Sequence, residues 1–491
     1  MKLLRALFVV ALVLMVAAPM VYAETQNVKV SGSIDAYWFY RVNYDLQDNN
    51  DSGAIPVGGA VPASGGTTNS TGHSSEGDDY FRSNTQIEVS ADLTDNVSTV
   101  INIVNQRDWN ADDFVADTTA VSTNTGPNEF DILLDLAYVQ MKEIFYSPLT
   151  LTIGRQDLWF GRGFIIGNNN TAWDTQGITQ ADEYSVTTAF DALRATLDFN
   201  PWTIDFVFSK IQEGSHDPED DIDLYIANVN YKFAEYNAVA EAYYVGEFDR
   251  NALRTAGTTV VNDSGGTKDN DTNTLGGRVQ FDPISQITLG GELAYQFGTY
   301  RAAKALTAVF PAGRDRDAWA ADIFAEYRWD NTWKPMAGIE YIYMSGENDL
   351  GAGSTQSYGA WNGLYRGKFW TAYADFREFT YATSDAGDPA ASTNEEFIQV
   401  KGSLKPLEDL LLEASFTYLW FSEGVHTTST DPNSGTRSTE IGWEIDLQAT
   451  YDYTEDVSFG FLAGWFVPGD FYNSPNDATA TDIVSSVKVT F

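Results

Sequence analysis

The chain has no cysteine among its 491 residues, so no disulfide braces the fold and no thiolate holds a metal. Histidine is almost as scarce: His73, His216 and His426 lie far apart and have no metal-ligand spacing. Basic residues number 29 against 69 acidic ones, a formal net charge of -40, which makes nucleic acid an unfit partner. Beyond the first 23 residues no run of about 20 apolar residues occurs, so no transmembrane helix is expected. Catalytic motifs are lacking as well. There is no GxSxG, HExxH or phosphate loop, and no carboxylate pair stands out as a glycosidase dyad. The string DNNDSG at 48–53 lacks the acidic twelfth ligand of a calcium loop, since Gly59 stands there, and reads as an ordinary turn. Neither an enzyme, a cofactor nor a metal site is indicated.

What is present is a secreted, strand-rich composition. Lys2 and Arg5, the apolar stretch Leu7 to Val16 and the exit Val21-Tyr22-Ala23 read as a signal peptide over residues 1–23, leaving 24–491 as one domain. Aromatics make up 14% of the residues and proline only 15 of them, which suits strands and not disorder. Apolar positions recur with period 2. Val28, Val30, Ile34, Ala36, Trp38, Tyr40 and Val42 oppose Lys29, Ser31, Ser33, Asp35 and Arg41. The pattern returns at Phe81 to Ala91 against Arg82, Asn84, Gln86 and Glu88, and at Leu289, Leu293, Tyr295 and Phe297 against Thr288, Glu292 and Gln296. It is repeated at Trp319, Ile323 and Tyr327 against Asp322 and Glu326, and at Ile441, Trp443, Ile445 and Leu447 against Glu440, Glu444 and Asp446. Such strands have one apolar and one polar side.

Several runs exceed ten residues, longer than the ~5–6 of globular strands and suited to crossing an outer membrane. Short turns near Asp95-Asn96, Ser147-Pro148, Asn200-Pro201, Ala234 to Tyr236, Asp282-Pro283, Asp330-Asn331, Lys405 to Asp409 and Thr454-Glu455 alternate with long polar links such as 46–78, 110–129, 249–272 and 422–438. Short periplasmic turns and long outer loops are the layout of a transmembrane antiparallel up-and-down β-barrel, with both termini periplasmic and an even strand number. About nineteen runs are countable, which parity forbids. A weak strand near Tyr358 to Tyr365 makes twenty; merging two doubtful runs makes eighteen. The terminal strand, with Ile483, Val487, Val489 and Phe491 in step, resembles the signal read by the outer-membrane assembly machinery. The expected location is the bacterial outer membrane, and the expected partners are its lipid, that machinery and a hydrophilic solute.

The most distinctive stretch is 149–208. GRQDLWFGRGFIIG, then Trp173, then FDALR resembles the signature of the alginate-export family of outer-membrane barrels. FRSNTQIEVSADLTDN at 81–96, VNQRDW at 104–109 and LYRGKFWTAYADF at 364–376 are weaker matches in a compatible order. The resemblance implies a monomeric porin-like barrel of eighteen strands, passing an anionic polysaccharide through a pore lined by arginines, with no chemistry performed. Carried over by motif, the pore-lining positions are Arg155, Gln156, Arg162, Asp191 and Arg194, with Arg82 and Arg107 from the flanking strings.

The physical chemistry of these residues leaves two readings. A guanidinium in the lumen holds a carboxylate through a planar donor fork, and rings of arginine select anions. Alternatively the same arginines pair with inward Asp135, Asp198, Asp205 and Glu88 and cross-link the lumen. Gln156, not Arg155, is in phase with Thr150 and Thr152, so Arg155 needs a bulge at Gly154 to turn inward. The acidic excess also departs from what a polyanion conduit needs, so a neutral or cationic solute or an unselective pore stays open. A reading from another class is a binding or adhesion protein whose loops act on a plugged barrel.

Overall fold

The computed structural model describes residues 27–43, 46, 78–109, 132–168, 184, 186–213, 221–250, 270–300, 314–347, 357–367, 371–372, 393–423, 438–472 and 477–491. The signal segment 1–23, Trp173 and most of the long links lie outside the described residues. Eighteen strands follow in order: β1 (Asn27–Val42), β2 (Asp78–Thr94), β3 (Val97–Asp108), β4 (Leu133–Met141), β5 (Leu149–Gln156), β6 (Phe190–Asp198), β7 (Trp202–Gln212), β8 (Ile222–Lys232) and β9 (Val239–Asp249); then β10 (Asn270–Ile284), β11 (Ile287–Tyr300), β12 (Arg314–Arg328), β13 (Met336–Met344), β14 (Glu395–Leu407), β15 (Leu410–Phe421), β16 (Glu440–Asp452), β17 (Val457–Pro468) and β18 (Ala480–Thr490). Each pairs antiparallel with its chain neighbour, and β1 also pairs with β18, from Ser33 opposite Thr490 to Val42 opposite Thr481. The sheet is thus a closed barrel with no free edge. Phe491 completes the seam: its N–H donates to the Gly32 carbonyl at 3.0 Å, and its carbonyl accepts from Gly32 at 2.8 Å.

The alternation of sequence becomes two faces. Leu293, Tyr295, Ile323, Tyr327, Phe459 and Phe461 are exposed on the outer wall, while Thr288, Glu292, Gln296, Asp322, Glu444 and Asp446 are buried on the inner one. Trp202, Trp329 and Tyr453 stand exposed at strand ends, as interfacial aromatics do. The connections alternate strictly in length, so one end of the barrel carries tight turns and the other the long links.

Three expectations are corrected. No strand forms at Tyr358 to Tyr365, so the count is eighteen and not twenty; those residues run inside the barrel instead. The turn expected at Asp282-Pro283 is Ser285-Gln286, because a register shift between Phe281 and Ile284 extends β10 past the proline. Ile441 leaves the outer face of its strand and is fully buried. Here Leu419 faces Gly442 and Trp420 faces Glu440, a bulge with Gly442 at φ +145°, which breaks the period at that point.

Candidate channel constriction

Two segments of the long links fold into the barrel. The first, 157–168, leaves β5 as Asp-Leu-Trp-Phe-Gly-Arg-Gly-Phe-Ile-Ile-Gly-Asn. Five of its side chains, Leu158, Phe160, Phe164, Ile165 and Ile166, are buried. Each gains about 1.5–3 kcal/mol from leaving water, enough in sum to hold the segment against the wall. The wall is built to receive them. On the half nearer the long links many inward positions are apolar, among them Val207, Leu224, Ile226, Val245, Ala318, Ala320, Ile342, Phe397 and Leu419. A porin lumen is ordinarily polar, so this apolar inner ring marks a filled level. The segment reverses at Phe160 to Gly163, where the Gly163 N–H donates to the Phe160 carbonyl at 2.9 Å. Gly161 and Gly163 take φ of +58° and +79°, a region costly for other L residues.

The second segment, 357–367, lies beside the first. A parallel bridge at Ile166 and Tyr365 joins them, with Tyr365 N–H to Ile165 carbonyl at 3.1 Å and Gly167 N–H to Tyr365 carbonyl at 2.6 Å, and a further bond runs from Gly367 N–H to Gly163 carbonyl at 2.6 Å. Side chains fasten the pair to the wall. Asn362 exchanges hydrogen bonds with Gln296 at 2.8 and 2.9 Å, the Tyr365 hydroxyl donates to Glu247 at 2.5 Å, and the Tyr365 ring meets Phe190 edge-on at 5.6 Å. Together the two segments narrow the bore.

Below the apolar level, toward the turn end, the inner wall is charged. Arg162 reaches from the tip of the first segment to a hydrogen bond with Glu340 of β13 and to 3.6 Å from Asp322 of β12, its guanidinium carbon 3.8 Å above the Phe324 ring. Lys401 of β14 joins Glu340 at 3.2 Å and Glu326 at 3.5 Å. Arg278 of β10 lies 3.4 Å from Glu241 of β9, and Tyr243 donates to Glu292 at 2.7 Å. On the facing strands Arg194 bonds Asp205 at 2.9 Å, with Thr196 donating to the same carboxylate oxygen at 2.6 Å. Arg194 also lies 5.3 Å from the Phe160 ring, so it touches the first segment from the other side.

Sequence-based positions are thereby separated. Gln156, Arg194 and Arg82 fall on the inner phase of their strands, and Arg162 hangs in the lumen from its segment. Gln156 is buried, its amide N–H groups donating to the carbonyls of Thr152, Gly154 and Ala192, so it clamps β5 to β6. Arg155 and Asp191 face each other across β5 and β6 and pair at 3.5 Å. They share the phase of exposed Ile153 and Leu193, and the register passes Gly154 without a shift. Arg107 stands opposite Ser83, in phase with exposed Ile101. The structure therefore brings Arg162 and Arg194 to one constriction and leaves Arg155, Asp191 and Arg107 outside it. The segment 357–367 stood out in the sequence only as a possible strand near Tyr358 to Tyr365 and through the string beginning at Leu364. Glu241, Arg278, Glu340 and Lys401 were not singled out from sequence. Their signal was only phase: Glu241 and Glu340 alternate with apolar neighbours as dozens of other polar residues do. Among the described residues no group of three or more acids or histidines is arranged to hold a metal.

Comparison with known proteins agrees with this architecture. A family model described as "Alginate export" matches residues 64–486. A search of curated proteins finds no match. Among solved structures, the outer membrane protein opdK from Pseudomonas aeruginosa is 10% identical, with a TM-score of 0.52 over 95% of this chain and 100% of that one. A BenF-like porin from Pseudomonas fluorescens Pf-5 gives the same identity, coverage and TM-score of 10%, 95% and 100%, and 0.52. Pseudomonas aeruginosa OccK11 (OpdR) is 9% identical, with a TM-score of 0.50 over 95% and 97% of the two chains. At these identities the likeness is one of fold. A closed outer-membrane barrel of porin type, matched to a transport family over most of its length, is a channel and not an enzyme: the chain belongs to the alginate-export family of bacterial outer-membrane proteins.

Proposed function

We propose that this channel passes a small hydrophilic solute past a constriction formed by 157–168 and 357–367, with Arg162 and Arg194 bordering the path. The observation that carries this reading is the in-folding itself: two backbone-joined segments, seated on an apolar inner ring, occupy cross-section that a wide pore leaves open. The charge at that level supports a solute that is not a polyanion, because Arg162 and Arg194 are each already paired with a wall carboxylate. A mobile polyanion has to compete with those fixed partners. Residues 24–491 act as one transport domain in this reading, behind a cleaved leader.

Size exclusion tests it. Purified protein in liposomes should admit mono- and disaccharides, with swelling rates falling steeply as the sugar lengthens. Equal rates for short and long sugars contradict a constricted path. The family supports a second reading, export of an anionic polysaccharide. Retention of a uronate polymer inside liposomes that release disaccharide favours the small solute; release of the polymer favours export.

A further inference from the structure

Trp159 is the exception among the aromatics of the two in-folded segments. Phe160, Phe164, Tyr358, Trp361 and Tyr365 are each 8% exposed or less, whereas Trp159 is 51% exposed. Its chain neighbours Leu158 and Phe160 belong to the apolar cluster that seats the segment on the wall, and Trp159 does not. The open part of the indole is therefore turned from that seat toward the bore. Left there, it forgoes the gain that burial gives its neighbours.

The ring is held as a fixed plate. Its Nε1–H donates to the Gly161 carbonyl at 3.2 Å, so its one polar group already has a partner. The six-membered ring lies against three glycines, two of the first segment and one of the second. A Cβ on Gly163, Gly167 or Gly367 would stand 2.5, 2.9 and 2.6 Å from its carbon atoms, distances no side-chain carbon tolerates. Gly163 also serves the reversal through its φ of +79°. Gly367 has no such requirement, and the atoms nearest its missing Cβ are those of the indole, so there the absent side chain makes room for the ring alone.

A rigid aromatic face with no free hydrogen-bonding group suits a ligand that is apolar on one face and polar at its edge. A pyranose ring is such a ligand. Its axial C–H groups carry slight positive charge, which matches the negative face of an aromatic ring, while its hydroxyls point outward to water. A linear polyol has the hydroxyls without the face. We propose that Trp159 is a stacking platform at the constriction for the pyranose ring of a neutral sugar. This names the solute class of the small-solute reading and rests on it.

Channel block and binding test this together, with glucose and sorbitol as probes alike in size, one cyclic and one linear. In planar bilayers glucose should interrupt the current at concentrations where sorbitol does not. Trp159→Leu, which keeps apolar bulk and removes the aromatic face, should weaken that block by about tenfold, the worth of one stacking contact. Trp159→Phe should retain most of it. Gly367→Ala places a methyl where the indole lies and should weaken block in a chain that still carries Trp159. Calorimetry in detergent should show the same order among the variants, independently of any change in bore width. Unchanged block and binding in folded Trp159→Leu and Gly367→Ala proteins overturn the proposal, and so does block by sorbitol equal to that by glucose. If Trp159→Leu fails to fold, Gly367→Ala decides between the same outcomes. Benzyl alcohol binding that depends on Trp159, with glucose binding that does not, removes the sugar assignment. Current that never steps, alongside Trp159-dependent binding of glucose, overturns the channel reading and keeps the platform.

Discussion

At the scale of single residues, what an arginine does here depends on the phase of its strand and on the carboxylate it meets. Asp205 is almost wholly buried, and Arg194 together with Thr196 satisfies it. Replacing Arg194 by Ser leaves that carboxylate uncompensated; the pair is partly open on the arginine side, so the loss is about 1–2 kcal/mol. Arg155 pairs with Asp191, whose side chain is 65% exposed, and Arg155→Ser should cost less than about 0.5 kcal/mol. Heat-modifiability on gels, read as the temperature of barrel unfolding for each variant, separates the two; equal shifts contradict the difference in burial. Alternation alone placed Arg194 on the polar face, and it left Arg155 on the other unless Gly154 introduced a bulge. The register shows no such shift. Arg162 was legible as a candidate but its partners were not. Glu340 is 178 positions away along the chain, and only closure of the ring brings them together.

Elements were easier to read than their exceptions. A strand that must face lipid on one side and a polar lumen on the other leaves period 2 in the sequence, which is why β1, β2, β11 and β12 were visible without coordinates. The period fails where the backbone bulges, as at Ile441, and where lumen residues are apolar. Phe39 occupies an inward position of β1 and is fully buried, with the Tyr80 ring stacked on it at 4.7 Å. Of the two ways to an even count, eighteen holds and the extra strand at Tyr358 to Tyr365 does not: this stretch makes backbone hydrogen bonds to 163–168 and to β12 inside the barrel and not as a member of the ring. The last strand carries its own prediction. Removing Phe491 deletes both backbone bonds to Gly32 at the seam and the apparent assembly signal. Outer-membrane levels, measured by fractionation and blotting, should fall well below those of a single-residue deletion in a long link. Normal levels contradict a role for the terminal residue.

Across the whole molecule, 69 acidic residues against 29 basic ones set the far field, while contacts set what happens at the narrowest level. Fixed negative charge at the mouth concentrates cations and repels anions over roughly a Debye length, ~8 Å at physiological salt. Reversal potentials across asymmetric salt should therefore show a preference for cations that weakens as ionic strength rises. A salt-independent anion preference contradicts this. The central claim concerns the constriction, and single-channel recording tests it most directly. In planar bilayers the intact protein should give small stepwise currents. A variant in which 158–166 are replaced by a Gly/Ser linker of equal length should give larger steps, because the seat on Val207, Leu224, Ile226 and Ile342 is then unfilled. Steps of the same size in both proteins, or no steps from the intact one, would contradict the account.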